Sequence, residues 1–324
     1  LALKVNKIFL LIIKIAISSA LLYIVLSKAG IEQVFSTLRD MSILAFLSAV
    51  FLYILAQLIS TIRWKLLLPV GLDIRKLFSL YMIGAFFNTI LPGVIGGDAV
   101  KGFYLYQATG KGGLTFSSIF MDRYLGFVIL MAICTIAFPF GYKYIQGSRI
   151  AWLLPITVFS FIIASLLIFG LRLGKRIKIL SGFYDYFHAY RNQKGVIGKA
   201  LLLSALVQLS GILSVYILAL GIGQHIPFLA CLIFLPLVIL FTTLPISISG
   251  LGVREGAFVL FLGPVGIRPE VATALSLVWF VTFAIGSLVG LVEYIRYKKE
   301  RIEGPQYSPE VAIGKSVKAK NKGG

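Results

Sequence analysis

The chain is poor in nearly everything that marks a soluble enzyme. Of its 324 residues only 12 are Asp or Glu, and charged residues of both signs make up 13%, against roughly 25% in an ordinary soluble domain. Two cysteines, Cys134 and Cys231, sit inside apolar runs and exclude a disulfide scaffold or a cysteine-rich metal site. Two histidines, His188 and His225, lie far apart and leave no basis for a histidine metal centre. Neither accompanies a nucleophile, so no Ser/His/Asp grouping can be assembled. Gly110-Lys111-Gly112 lacks the spacing of a nucleotide-binding loop. No catalytic residue, metal or cofactor is therefore expected.

What is abundant is apolar surface. Hydrophobic residues make up 59% of the chain, and its mean hydropathy is +0.95. A fold in water cannot hide that much, so lipid must cover part of it. The few charges are lopsided, with 31 Lys and Arg giving a net charge of +19. A basic balance raises the question of nucleic acid. In so apolar a chain it reads instead as orientation, with basic residues kept on the cytoplasmic side.

A helix needs about 20 apolar residues to cross the hydrocarbon core. Such runs lie at 8–26, 43–62, 118–140, 150–170, 200–222 and 270–295. The first is too long for a signal-peptide core and is expected to be retained. Two further stretches, 77–97 and 226–266, are interrupted by Pro and Gly. Between the spans, the loop 172–199 holds seven basic residues and one acid. Within it Leu180, Phe183, Phe187 and Tyr190 repeat at helical spacing, as in an amphipathic helix on the membrane surface or against neighbouring spans. Residues 304–324 form a basic tail without periodicity, expected to be disordered.

Charge placement then counts crossings. Lys4 and Lys7 put the N-terminus in the cytoplasm, and two crossings return Arg63, Lys65, Arg75 and Lys76 to the same side. A full crossing by 77–97 would place Lys101, Lys111 and the basic loop outside. A stretch that dips in and returns repairs the parity. The cluster Arg296, Lys298, Lys299 and Arg301 likewise requires 226–266 to begin and end outside, as a second re-entrant pair or two tilted crossings. The two interrupted stretches also resemble each other. Thr89-Ile90-Leu91-Pro92-Gly93 precedes Gly96-Gly97-Asp98 and Lys101, and Thr243-Leu244-Pro245 precedes Gly250, Gly252 and Arg254-Glu255. Entered from opposite sides, they would form an inverted repeat of broken helices meeting near the midplane.

Ionisable groups at membrane depth face a cavity or a partner. The candidates are the acids Asp98, Asp122 and Glu255 and the bases Arg63, Lys101, Arg123 and Arg254. A helix start after a Gly bend offers backbone N–H groups to a phosphate or carboxylate, with Lys101 and Arg254 adding full charge. Asp98 and Glu255 would then orient those bases or serve a cationic substituent of the head group. On the alternative reading, Asp98–Lys101 and Arg254–Glu255 are internal ion pairs that only stabilise the bends. Asp122-Arg123 reads as a cap or a cytoplasmic gate, and Arg63-Trp64 also fits simple interface anchoring. Gly286-x-x-x-Gly290 permits close helix packing, a spacing common by chance in Gly-rich membrane chains.

Three motifs carry a family resemblance. Asn88 with Ile90-Leu91-Pro92-Gly93 to Lys101, Asp122-Arg123-Tyr124-Leu125-Gly126, and Gly250-Leu251-Gly252-Val253-Arg254-Glu255-Gly256 resemble the lysylphosphatidylglycerol synthase transmembrane-region family. Arg63-Trp64 is similar to its early Arg-Trp signature. A further acid often found four residues after Asp122 is Gly126 here. In larger relatives this membrane part translocates an aminoacylated phospholipid made by a fused synthase domain. With no such domain in the 324 residues, the resemblance implies translocation rather than aminoacyl transfer. Some relatives are labelled as polyprenol-glycan or hopanoid-lipid factors, so the lipid does not carry over.

The expected protein is thus an all-α polytopic membrane protein of the cytoplasmic (inner) membrane, both termini cytoplasmic. One domain over 1–300 would hold about six full spans of membrane length plus two broken, re-entrant elements. Arg63, Asn88, Pro92, Gly93, Gly97, Asp98, Lys101, Asp122, Arg123, Gly250, Gly252, Arg254 and Glu255 would line a path for an anionic or modified lipid. A cytoplasmic lipid-modifying enzyme would be the protein partner, and nucleic acid none. Two alternatives remain open: a membrane-embedded transferase using a polyprenyl phosphate donor, with Asp98 or Glu255 as base, and an accessory subunit that tethers enzymes through 172–199.

Overall fold

The computed structural model describes residues 7–91, 96–170, 193–243, 247 and 249–303. Pro92, Gly93, Pro245, most of the basic loop with its candidate helix, and the tail lie outside the described residues. Within them the chain is helical, with no strand. The elements are α1 (Lys7–Ala29), α2 (Ile31–Arg39), α3 (Ile43–Leu66), α4 (Ile74–Ile90), α5 (Gly96–Thr109) and α6 (Gly112–Gly141), then α7 (Leu153–Ser165), α8 (Lys194–Gly221), α9 (Phe228–Thr243), α10 (Val253–Leu262) and α11 (Pro269–Glu303).

Among the described residues four helical stretches are long and apolar enough to cross a membrane: Ile43–Leu66, Gly112–Tyr144, Lys194–Gly221 and Pro269–Tyr297. The first expected span is followed by a break at Gly30, where φ is +80°, and Ile15–Ala29 bends by 80° into α2. The run at 150–170 gives the apolar helix Leu153–Phe169, whose last turn is a π-helix. That is shorter than the other spans because the first residues, Arg149–Trp152, form a 3-10 turn instead.

The outside of these helices is apolar. Leu44, Phe51, Ile136, Phe140, Trp152 and Phe159 are all exposed, an inside-out distribution that only lipid solvates without penalty. The main core lies where α6, α8, α9, α10 and α11 converge on Phe234, Phe258, Phe261 and Trp279.

Both interrupted stretches fold back on themselves. In the first, Asn88 meets Gly97 and Gly84 meets Gly97 and Lys101, so α5 returns along α4 as a helical hairpin. The approach is backbone to backbone, since a Cβ on Gly97 would overlap the Gly84 carbonyl. In the second, the Phe261 ring packs on Phe234 and Phe241, and Gly250 lies against Thr242, so α10 turns back on α9. The tips of the two hairpins meet: the Ser249 hydroxyl donates to the carbonyls of Asn88 and Thr89 at 3.0 and 3.1 Å. Ser249 holds φ of +49°, and among the described residues no other non-glycine has positive φ.

The Gly286 and Gly290 spacing is used as a packing seam. A Cβ on Gly290 would overlap the Met82 carbonyl, and one on Gly286 would overlap the Tyr53 ring, so α11 lies tightly against α4 and α3. Gly290→Val should therefore destabilise by about 1–3 kcal/mol, the usual cost of overpacking. Gly198→Ala on α8, with nothing within 4 Å of its added methyl, should change stability by less than about 0.5 kcal/mol. Thermal unfolding of the two purified variants in one detergent checks the contrast.

Candidate functional site

The site begins with stripes of polar residues on apolar helices. On α3, Tyr53, Gln57, Ser60 and Arg63 recur at spacings of three and four, and on α8 Ser204, Gln208 and Gly211 do the same. Such spacing keeps each set on one helix face. All but Ser204 line a cavity of about 350 Å³, and Ser204 is bonded to Arg63 at its edge.

Asp122 is the hub. It lies ten residues inside α6, not at a helix start, and is 1% exposed. Its Oδ1 accepts from Arg63 Nε at 2.8 Å and its Oδ2 from the Tyr81 hydroxyl at 2.8 Å. Arg63 is itself buried and donates through a terminal nitrogen to Ser204 Oγ at 2.8 Å. It is thus a core ion-pair partner, not an interface anchor. Its neighbour Trp64 is fully buried and donates from Nε1 to Ser118 Oγ at 3.3 Å. A buried carboxylate is tolerated only when paired and hydrogen-bonded, and α3 and α4 supply those partners, with α8 bracing Arg63.

The first hairpin adds Lys101 and Asp98. Lys101 Nζ stands 3.7 Å from both Asp98 Oδ1 and Asp122 Oδ2. The tighter partner of Asp98 is Arg123, whose Nε donates to Oδ2 at 2.7 Å. The expected local Asp98–Lys101 ion pair is present, and it forms part of a longer chain of charges joining α3, α5 and α6. Asn88 Oδ1 accepts from the Gly97 amide at 2.8 Å.

Across the cavity lies the second hairpin. Arg254 donates to Glu255 Oε1 at 2.6 Å and to Ser276 Oγ at 3.0 Å, and its guanidinium lies 4.7 Å from the Phe280 ring centre. Glu255 is fully buried behind it, its Oε2 accepting from the Gly252 amide at 2.6 Å. Gly252 has φ of +81°, and a Cβ there would press on Leu21 of α1. The two bends were expected to present N–H donors to a ligand. At Gly97 and Gly252 those donors are satisfied by Asn88 and Glu255, because an amide buried without a partner is costly.

The cavity is therefore lined by Arg63, Lys101, Arg123 and Arg254 with Asp98 and Asp122, and the rest of its wall mixes neutral polar groups such as Gln57, Asn88 and Gln208 with apolar and aromatic side chains. Of the residues singled out in sequence, Arg63, Asn88, Asp98, Lys101, Asp122, Arg123 and Arg254 come together on it. Gly97, Gly250, Gly252 and Glu255 shape or brace its walls, while Pro92 and Gly93 lie outside the described residues. Tyr81, Ser204, Gln208 and Gln57 were missed, although the two polar stripes were visible at helical spacing.

This arrangement can be set beside known proteins. The family model described as lysylphosphatidylglycerol synthase TM region matches residues 11–290. The chain belongs to that family. Among relatives, a UPF0104 membrane protein of Methanocaldococcus jannaschii is 24% identical over 92% of this chain and 97% of its own length. One of Pyrococcus horikoshii is 25% identical, covering 90% and 98%. A third, from Methanothermobacter thermautotrophicus, is 23% identical over 74% and 80%. The family match spans the charged cluster and both hairpins, and makes this a multi-pass membrane protein.

Removing one partner of the buried pair should be severe. Arg63→Ala leaves Asp122 only the Tyr81 hydroxyl and Lys101 at 3.7 Å and should destabilise by about 3–5 kcal/mol, with Asp122→Ala similar. The double variant Arg63→Ala with Asp122→Ala should lose clearly less than the sum of the single changes. Unfolding of the four proteins in mild detergent measures the coupling, and strictly additive losses would contradict it.

Proposed function

We propose that the protein is a lipid translocator of the cytoplasmic membrane. A polar lipid head group enters the cavity between the two hairpins while its tails stay in the bilayer. The observation that carries this reading is the placement of four bases and two acids around one cavity inside an otherwise apolar helical protein. Charge buried at such depth is expensive and marks a pathway for polar or ionic cargo. Two broken helical elements meeting at their tips support the same reading, since irregular backbone is tolerated at membrane depth only against protein or a wet cavity.

Both termini lie in the cytoplasm on this reading, where a lipid-modifying enzyme would supply the lipid. Movement would follow from opening the cavity to one leaflet and then the other, with the Ser249 contact between the hairpins released as the tips part. No reaction is assigned to the chain itself. A transferase would need a carboxylate free to act as base, and Asp98 and Glu255 are both engaged by arginines.

Purified protein in liposomes carrying head-group-labelled phospholipids tests the proposal, with a membrane-impermeant quencher reporting outer-leaflet exposure. Wild type should expose inner-leaflet label faster than protein-free vesicles. Arg123→Gln should slow it by about tenfold, the equivalent of one charge-assisted hydrogen bond. Identical traces for wild type, variant and empty vesicles would contradict translocation.

A further inference from the structure

A second recess opens between α3, the start of α4 and the last turns of α11. It measures about 600 Å³ and shares no lining residue with the charged cavity. In the orientation proposed above, this end of the bundle is cytoplasmic. Two kinds of surface meet in it. Leu58, which is exposed, and Phe78 form an apolar wall. Leu58 stands about 12 Å along α3 from its last residue, Leu66, at 1.5 Å per residue. Arg75 and Arg296 stand at the other end of the recess, near the starts and ends of their helices.

The charges of the recess do not balance. Its one acid, Glu293, accepts from the Ser79 hydroxyl through Oε2, and its Oε1 faces an Arg296 nitrogen at 3.4 Å. Arg75 has neither an ion pair nor a hydrogen bond among the described residues. It also sits in the first turn of α4, which holds no acid and gets no side-chain cap from Asp73. A helix start carries partial positive charge, which disfavours a base there and favours an anion. A free phosphate ester would engage only the charged end, and a neutral lipid only the apolar wall. Basic pockets between membrane helices on the cytoplasmic side suit the head groups of anionic lipids.

We propose that this recess holds an anionic diacyl phospholipid, its phosphate shared by Arg75 and Arg296 and one acyl chain lying along Leu58 and Phe78. The lipid is a bound component and not the cargo. It bridges α4 to α11 beside the Ser79–Glu293 bond, and so steadies the first hairpin from outside the cavity. The site does not depend on the translocator reading, since none of its residues lines the path assigned to the head group.

Native mass spectrometry and thermal unfolding of the detergent-solubilised protein test it, with phosphatidylglycerol, phosphatidylcholine and glycerol phosphate as probes. Wild type should retain phosphatidylglycerol and melt higher in its presence. Phosphatidylcholine should be retained about fivefold less well, the share of one basic residue facing an anionic lipid. Glycerol phosphate, an anion without chains, should leave the melting point unchanged. The double variant Arg75→Gln with Arg296→Gln should lose one retained phosphatidylglycerol and the accompanying stabilisation. Both side chains are exposed, so its lipid-free melting point should stay close to that of wild type. Leu58→Trp, which fills the apolar wall and keeps the charges, should lose the same lipid. Arg123→Gln, in the cavity, should keep it. Stabilisation by glycerol phosphate equal to that by phosphatidylglycerol would overturn the lipid in favour of a free phosphate ester. Equal retention by wild type and the double arginine variant, or loss with Arg123→Gln instead, would overturn the site. Retention that follows the arginines while labelled lipids stay put in liposomes supports the site and contradicts translocation alone.

Discussion

The buried carboxylate of Asp122 is the constraint around which the rest is arranged. An ionised acid in the middle of an apolar helix cannot be left without partners. Satisfying it draws Arg63 from α3, Tyr81 from α4 and, at longer range, Lys101 from α5 onto one point of α6. Arg63 in turn fixes α8 through Ser204. One side chain thereby ties together five helices that lipid alone would leave free to slide, since apolar surface in a bilayer supplies little drive for helix association.

The hairpins complete that frame. Gly84 and Gly97 let α4 and α5 approach backbone to backbone, which holds Lys101 close to Asp122 and Asp98. Gly252 permits the positive φ from which Glu255 reaches back to cap its own bend and hold Arg254. With Ser249 bonded to the last carbonyls of α4, the two bends close one wall of a single cavity. The same pairs that make the fold tolerable to its buried acids bring Lys101 within 3.7 Å of both Asp98 and Asp122.

Much of this was legible from the chain. Apolar runs located α3, α6, α8 and α11, and the Pro and Gly interruptions marked the two places where the chain folds back. The charged residues at membrane depth were nearly all cavity residues, because lipid leaves a charge few other places to be. Pairing was less legible. Asp98 and Lys101, three apart, read as partners and are an ion pair at 3.7 Å, but the hydrogen bond to Asp98 comes from Arg123, 25 residues away. Sequence proximity says nothing of which helices pack together. The neutral members Tyr81, Ser204 and Gln208 carry no charge to flag them, although Ser204 and Gln208 share one face of an apolar helix. The expected free donors at the Gly bends were capped by side chains whose reach depends on backbone dihedrals, which no motif displays.

The central claim is that the cavity between the hairpins receives the head group of a membrane lipid. A structure of the protein in nanodiscs containing phosphatidylglycerol tests it most directly. The account predicts phosphate density inside the cavity, among Arg63, Lys101, Arg123 and Arg254, with acyl chains leaving toward the bilayer. A cavity filled only by acyl chains, with phosphates confined to the outer rim of the helices, would contradict it.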